Sequence, residues 1–526
     1  MSNVLAYMSN MVSTFFAGLS IVTLFPVVTI ILLALFYIYY IVIIQPKRGT
    51  NEWIDMEISK PRLNFFSLRH PLKRRDITPL VSITLMFLLL AVFNLGSQNT
   101  VDVLSEIETP AETRTHLDNL YFDEIYHVRT AVEHIENVHP YEISHPPLGK
   151  EIIAASILTF GMSPLGWRLS GAIFGVLILF IMYIFIKNMF GRTTVATCGT
   201  LLLGFDFMRY VQTRLATIDT YTVFFIILAF FFMYRHITTD ADAKFSKSLA
   251  PLALSGFFFG LSFSVKWIGF YAGAGLLIIY VIRLVQLGLY YKNAKKPGFA
   301  VYLTKTLLFS ILFFVIVPAL TYYLSYIPYG LAAGYTLGGG MLWDAEYMKI
   351  VWGNQTTMYW YHSNLDATHP FSSMWWQWIL NTHPILYVNN HADGTRATFG
   401  AFGNPVIWWG GFLAMIVMAI RVFTHRDAKA LFILIGYLSQ LLPWVAVTRI
   451  VFIYHYFPST IFLVLALSHI FNTIMARKKR SRKTVIYGYT TLAGIVFAIF
   501  FPVLAGVFLP NWYYDNFIKW LGTWPF

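Results

Sequence analysis

Uninterrupted apolar runs recur along this chain, each long enough to cross about 30 Å of hydrocarbon. They fall at roughly 19–44, 80–97, 167–190, 194–211, 219–235, 250–266, 268–290, 302–326, 404–423, 430–447, 451–473 and 484–509. Backbone polar groups inside a bilayer must bond within their own segment, so such runs become helices. The expected fold is an all-α polytopic membrane protein with about 12 transmembrane helices. Charge agrees, since only 12% of residues are Asp, Glu, Lys or Arg, against about 25% in soluble chains. A soluble enzyme, a disordered chain and a nucleic-acid binder are excluded, although the net charge is +13. No cleavable signal peptide is expected, because the start lacks a basic region and the first apolar run is too long. Cys198 is the only cysteine, which excludes an internal disulfide and a cysteine-based metal site.

Basic residues set the orientation. The stretch 45–79 carries Lys47, Arg48, Lys60, Arg62, Arg69, Lys73, Arg74 and Arg75 and is expected on the cytoplasmic side. Alternating from there places Lys187/Arg192, Arg235/Lys244/Lys247, Lys292/Lys295/Lys296, Arg426/Lys429 and the run Arg477–Lys483 on that side too. Two long hydrophilic loops, about 98–166 and 327–403, then face outward, as do both termini. Residues 1–79 form an extra helix with a basic linker, and 80–526 form one membrane domain.

The spans are nearly free of charge, whereas a transporter concentrates polar groups near midplane. Charged residues gather instead in the first loop and at outer helix ends, which places an active site at the outer surface. In Phe122-Asp123-Glu124-Ile125-Tyr126-His127, a helix running to about Asn137 puts Asp123 and His127 on one face. Asp123 or Glu124 suits a general base; the alternative is that Asp123 merely starts a helix and favours its dipole. His145-Pro146-Pro147-Leu148-Gly149-Lys150 opens an amphipathic segment, 148–160, expected along the interface, with His145 and Lys150 at phosphate height. Arg214, Lys266 and Arg449 stand at outer helix ends, where positive charge is scarce; they suit an anionic ligand, or they snorkel. Tryptophans around His369–Trp378, with Trp343, Trp352 and Trp360, form an interfacial belt, a minority being free to stack on sugar or peptide. Nine of the fourteen histidines lie in the loops: His116, His127, His134, His139, His145, His362, His369, His383 and His391. None has the ligand spacing of a metal site, so no metal or other cofactor is expected.

These residues, together with Asp219, Ser264-Val265-Lys266-Trp267, His369-Pro370-Phe371-Ser372-Ser373, Gly403-Asn404-Pro405 before Trp408-Trp409, and Arg449 before Tyr454-His455-Tyr456, follow the order seen in protein O-mannosyltransferases. From about residue 80 onward the chain resembles that family. The resemblance implies a GT-C type membrane glycosyltransferase moving mannose, with inversion, from a polyprenyl-phosphate carrier to Ser or Thr of secreted or membrane proteins. It implies Asp123 as base and Glu124 as orienting group for the acceptor or a phosphate-binding arginine. Arg214, Arg449, Lys266 and His145 would meet the donor phosphate. Glu142, His127, Lys150, Asp219, His369, Tyr454 and His455 would line the substrate site. Two departures stand out. The family's acidic residue two positions before His-Pro-Pro is Ile143 here, with Glu142 as its expected substitute. The second loop is too short for the β-trefoil insert of eukaryotic members, which resembles bacterial members and implies a bacterial plasma membrane. A sister GT-C enzyme glycosylating a lipid or cell-wall polymer is the first rival, and a transporter or flippase the second.

Overall fold

The computed structural model describes residues 70–96, 122–392, 394–476 and 481–526. The apolar run 19–44, the basic linker and His116 lie outside them. The chain opens with α1 (Arg74–Val92), then α2 (Glu124–Glu136) and α3 (Leu148–Phe160) in the first long loop. Four helices follow, α4 (Pro164–Phe190), α5 (Thr193–Gly204), α6 (Phe207–Gln212) and α7 (Asp219–Ile237). Next come α8 (Phe245–Val265), α9 (Gly269–Asn293) and α10 (Phe299–Ile311), which passes through a π-helical turn at Leu312–Ile316 into α11 (Val317–Leu324) and α12 (Ile327–Ala332). The second long loop holds α13 (Ala345–Asn364), α14 (Trp375–Leu380) and strands β1 (Ile385–Ala392) and β2 (Thr395–Ala401). The remainder is α15 (Pro405–His425), α16 (Ala428–Leu441), α17 (Phe457–Ala476), α18 (Arg482–Leu504) and a short β3 (Leu509–Pro510).

Among the described residues ten helices are long and apolar enough to cross a membrane. The run 194–211 is not one of them, which corrects the expectation of a continuous span there. Asp206 accepts from the Arg209 backbone N–H at 3.0 Å, and so starts a second helix where the first should continue. The two pieces nevertheless run the length of α1. At one end Thr193 and Lys187 both donate to Asp76 Oδ1, at 2.7 and 2.8 Å. At the other, Tyr210 donates to the Leu90 carbonyl at 2.8 Å. A broken helix therefore traverses the bundle.

The π-helical turn also has a local cause. Pro318 follows it and has no N–H to give the turn before, so the ladder widens. Gly256 of α8 packs against this turn, and a Cβ there would lie 2.0 Å from the Phe313 carbonyl oxygen. The core is aromatic, with edge-on pairs such as Phe230–Phe462 (4.9 Å) and tilted ones such as Phe207–Phe500 (5.1 Å).

The all-α expectation needs one addition. Strands β1, β2 and β3 form an antiparallel sheet in that order. Its hairpin signal was present in the sequence, as Asp393-Gly394 between runs rich in β-branched and aromatic residues.

Candidate active site

Asp123 sits where a helix cap would, but it does not cap. Its backbone is already helical (φ −64°, ψ −12°) and its side chain makes no bond to the first turn of α2, unlike an ordinary N-cap aspartate. The preceding residue explains this. Phe122 has φ 48°, a left-handed conformation costly for a bulky side chain. Its ring is held by His369 (5.8 Å), Tyr387 (5.4 Å), Phe452 (5.6 Å) and Tyr454 (6.5 Å). That box turns the Asp123 carboxylate away from the helix and toward Tyr454, whose hydroxyl donates to Oδ2 at 3.4 Å. Burial pushes the Asp123 carboxyl up to about 7; Asp219 and Glu142 add to the rise, while Lys266 and the Tyr454 hydroxyl oppose it. A carboxylate so poised accepts protons near neutral pH.

Glu124, next along, does something else. It is fully buried and grips Arg168 of α4 with both oxygens (Nε–Oε1 2.9 Å, Nη2–Oε2 2.8 Å), while Oε1 also accepts from the Ala216 N–H at 2.7 Å. Its arginine partner is thus Arg168, not Arg214 or Arg449, which corrects the expected role. Arg168 was missed in the sequence, although a lone arginine in an apolar span is itself a signal.

The His145-Pro146-Pro147 turn is built on a second buried pair. Lys150 is wholly buried. Its ammonium donates to Glu142 Oε2 (2.7 Å) and to the carbonyls of Glu142 (2.8 Å) and His145 (2.9 Å). It cannot stand at phosphate height as expected, because it clamps the turn from within. Burial disfavours the Glu142 carboxylate, but Lys150 and His145 outweigh it and hold the group well below the ordinary range. Glu142 Oε1 meets His145 Nδ1 at 3.1 Å, and His127 Nδ1 lies 3.9 Å from Oε2. Burial keeps both imidazoles below their usual values despite Glu142, so His145 offers a hydrogen bond where a cation was expected. Ile143 turns the other way: its carbonyl accepts from Asn354 at 2.9 Å and its side chain packs among tyrosines of α12 and α13. The inward acidic residue is Glu142. His362 Nε2 reaches the Ser144 carbonyl at 2.9 Å and closes this wall from α13.

The cations divide. Lys266, just past α8, pairs with Asp219 (2.9 and 3.1 Å) and lies 5.4 Å from the centre of the Tyr454 ring. That brings Lys266, Asp219, Tyr454 and Asp123 together. Arg449 lines a cavity of about 520 Å³ with His369, Ser372, Ser373, Gln377 and Thr448, and it donates to the adjacent Ile450 carbonyl at 3.1 Å. Arg214 is elsewhere. Its guanidinium donates to the carbonyls of Ala91 (3.1 Å), Leu504 (3.1 Å) and Phe93, stapling the ends of α1 and α18, so it is corrected from phosphate ligand to fold contact. His455 is likewise corrected: it is buried between Trp378 and Trp444 and bonded to the Phe452 backbone, behind Tyr454. His369 remains on the cavity wall, edge-on to Phe122 and Phe452. Among the described residues no three His, Cys, Asp or Glu side chains converge as metal ligands.

Known proteins match most of this chain in sequence, and one solved structure shares its fold. Residues 115–328 match the family described as dolichyl-phosphate-mannose-protein mannosyltransferase, and residues 347–524 the C-terminal four TMM region of protein O-mannosyltransferase. The polyprenol-phosphate-mannose–protein mannosyltransferase of Mycolicibacterium smegmatis is 26% identical over 429 residues, covering 73% of this chain and 82% of that protein. The protein of the same name from Mycobacterium tuberculosis is 24% identical over 503 residues, 84% of this chain and 90% of that one. The yeast protein O-mannosyltransferase Pmt1–Pmt2 complex bound to the sugar donor superposes with a TM-score of 0.74 at 13% identity, covering 89% of this chain and 95% of that one. The chain belongs to the protein O-mannosyltransferase family, membrane glycosyltransferases of the GT-C fold.

Proposed function

We propose that this protein transfers mannose from a polyprenyl-phosphate-mannose donor to Ser or Thr hydroxyls of secreted or membrane proteins, at the outer face of a bacterial plasma membrane. The observation that carries this reading is Asp123, a non-capping carboxylate against the Tyr454 hydroxyl, pushed up to about 7 by burial with Lys266 opposing. Asp123 removes the proton as the acceptor oxygen attacks the anomeric carbon. The bond from that carbon to the phosphate oxygen breaks, and the phosphate leaves as an anion. One displacement inverts the anomeric centre. A lipid phosphate is a good leaving group near neutral pH, so the site needs a base and cations rather than a general acid or a metal. Arg449 is the main phosphate ligand in this reading, because Lys266 is already paired. Glu124, through Arg168 and Ala216 N–H, holds the start of α2 against α4 and so positions Asp123.

Reconstitution with labelled polyprenyl-phosphate-mannose tests it. The reading expects label on a Ser/Thr peptide with the anomeric configuration inverted relative to the donor. Label appearing only on lipid would replace it with the sister-enzyme reading, and no transfer to any acceptor would remove it.

A further inference from the structure

Beside Asp123 the surface carries a fixed stack that the reaction just described leaves unused. The Arg129 guanidinium carbon lies 3.9 Å from the centre of the Tyr141 ring. Tyr141 and Tyr126 are near-parallel, 9° between planes and 6.3 Å between centroids. All three are exposed: Arg129 at 49%, Tyr141 at 56% and Tyr126 at 44%.

Glu133 builds the stack. Its Oε1 accepts from Arg129 Nε at 2.9 Å, and its Oε2 from the Tyr141 N–H at 2.6 Å and the Thr130 hydroxyl at 3.2 Å. The Thr130 oxygen accepts in turn from the Glu142 N–H at 2.9 Å, tying the stack to the loop that carries Glu142 and His145. Exposed tyrosines and arginines ordinarily keep their rotamer freedom, and ordering them costs entropy. Here that cost is met on a surface that covers no core.

The position is the second observation. Tyr126 lies one turn from Asp123, its N–H bonded to the Asp123 carbonyl at 3.2 Å, so the two share a side of α2. Opposite stands the end of α13, with Trp360 and Tyr361 exposed. The Tyr126 hydroxyl is made less acidic by burial and then by the Asp123 carboxylate, Tyr141 and Tyr361. The Tyr361 hydroxyl responds to burial, Glu142 and Asp123, with Arg449 opposing. Tyr126 and Tyr361 thus lie close enough to Asp123 to feel its charge.

We propose that the Arg129–Tyr141–Tyr126 stack binds the acceptor polypeptide in extended form, residues flanking the modified Ser or Thr lying across its faces while the hydroxyl reaches Asp123. This rests on the acceptor being a protein. Aromatic and guanidinium faces stack on peptide planes and on aliphatic or prolyl side chains without reading a sequence. Two tyrosines supply that area at little entropic cost. The site therefore favours disordered segments over folded surfaces, and its preference is for flat or apolar flanking residues rather than for one motif.

Full-length enzyme in nanodiscs, with labelled polyprenyl-phosphate-mannose and a synthetic Ser/Thr peptide, tests this. Tyr126→Ala and Tyr141→Ala should each raise the KM for peptide about tenfold, while the KM for donor stays at the wild-type value. Tyr126→Phe and Tyr141→Phe should restore wild-type peptide KM, since the faces and not the hydroxyls bind. Unchanged peptide KM in both alanine variants would overturn the proposal. So would a rise in donor KM alone, which would make the stack part of an interfacial belt. Wild-type enzyme that labels lipid but not peptide would remove it by removing the protein-acceptor reading itself, before any variant is made.

Discussion

At the scale of single residues, environment separates groups that look alike in the sequence. Asp123 and Glu124 are adjacent carboxylates, yet one meets a tyrosine hydroxyl and the other is locked to Arg168. Arg214 and Arg449 are both arginines at helix ends, yet Arg449 lines a cavity while Arg214 is bound to backbone carbonyls. Arg449→Ala should therefore raise the donor KM with little loss of thermal stability. Arg214→Ala should instead lower stability in detergent by about 1–3 kcal/mol, as carbonyls of α1 and α18 lose their donor. The reverse pattern would return the phosphate to Arg214. Proton affinity gives a second test. A base whose carboxyl sits near 7 must lose its proton to work, so kcat/KM should fall about tenfold per pH unit below 7. Lys266 opposes the rise at Asp123, so Lys266→Met should move that limb to higher pH. A limb that stays in place would separate Lys266 from the base. Which residues gather at the site was largely legible, through Asp123, Glu142, Lys266, Asp219, Arg449 and Tyr454. Their partners were not, because Glu124–Arg168 and Lys150–Glu142 join residues whose pairing only the tertiary structure decides.

At the scale of elements, apolar length located the spans and missed their irregularities. Asp206 breaks one crossing in two, and Pro318 widens another into a π-helical turn; both residues were visible, but tertiary partners decide whether they end, kink or merely interrupt a helix. Arg209 donates back to the carbonyls of Leu203 and Gly204 at 3.0 and 2.8 Å, which stabilises the break from the inside. The π-helical turn presses on α8 at Gly256. Gly256→Ala would set a methyl 2.0 Å from the Phe313 carbonyl, and backbone cannot step aside as a side chain can. The variant should lose about 1–3 kcal/mol of stability, read as a lower melting temperature in detergent; an unchanged melting temperature would mean the turn relaxes freely. The β-hairpin of the second loop had the clearest overlooked signal. It supplies Tyr387, which packs on Phe122 and accepts from Gln212 at 2.5 Å, so an element between the spans helps place the residue before Asp123.

At the scale of the whole molecule, four buried ion pairs of Lys or Arg with a carboxylate, among the described residues, fall into two groups. Asp76 and Lys187 pair at the end of the bundle where α1 begins, and Glu124–Arg168, Glu142–Lys150 and Asp219–Lys266 at the end that carries Asp123. In the proposed orientation the first end faces the cytoplasm and the second the outside. A cysteine at Ser363, exposed at the end of α13, should then react with a membrane-impermeant thiol reagent in intact cells, while labelling only after lysis would invert the topology. The proposed reaction stands on Asp123 acting as the base and not as a helix cap. Asp123→Asn tests it most directly, because asparagine caps as well as aspartate but cannot take a proton. The variant should insert and bind donor normally, with mannose transfer reduced on the order of 10²–10⁴-fold. Turnover near wild type in that variant would contradict it.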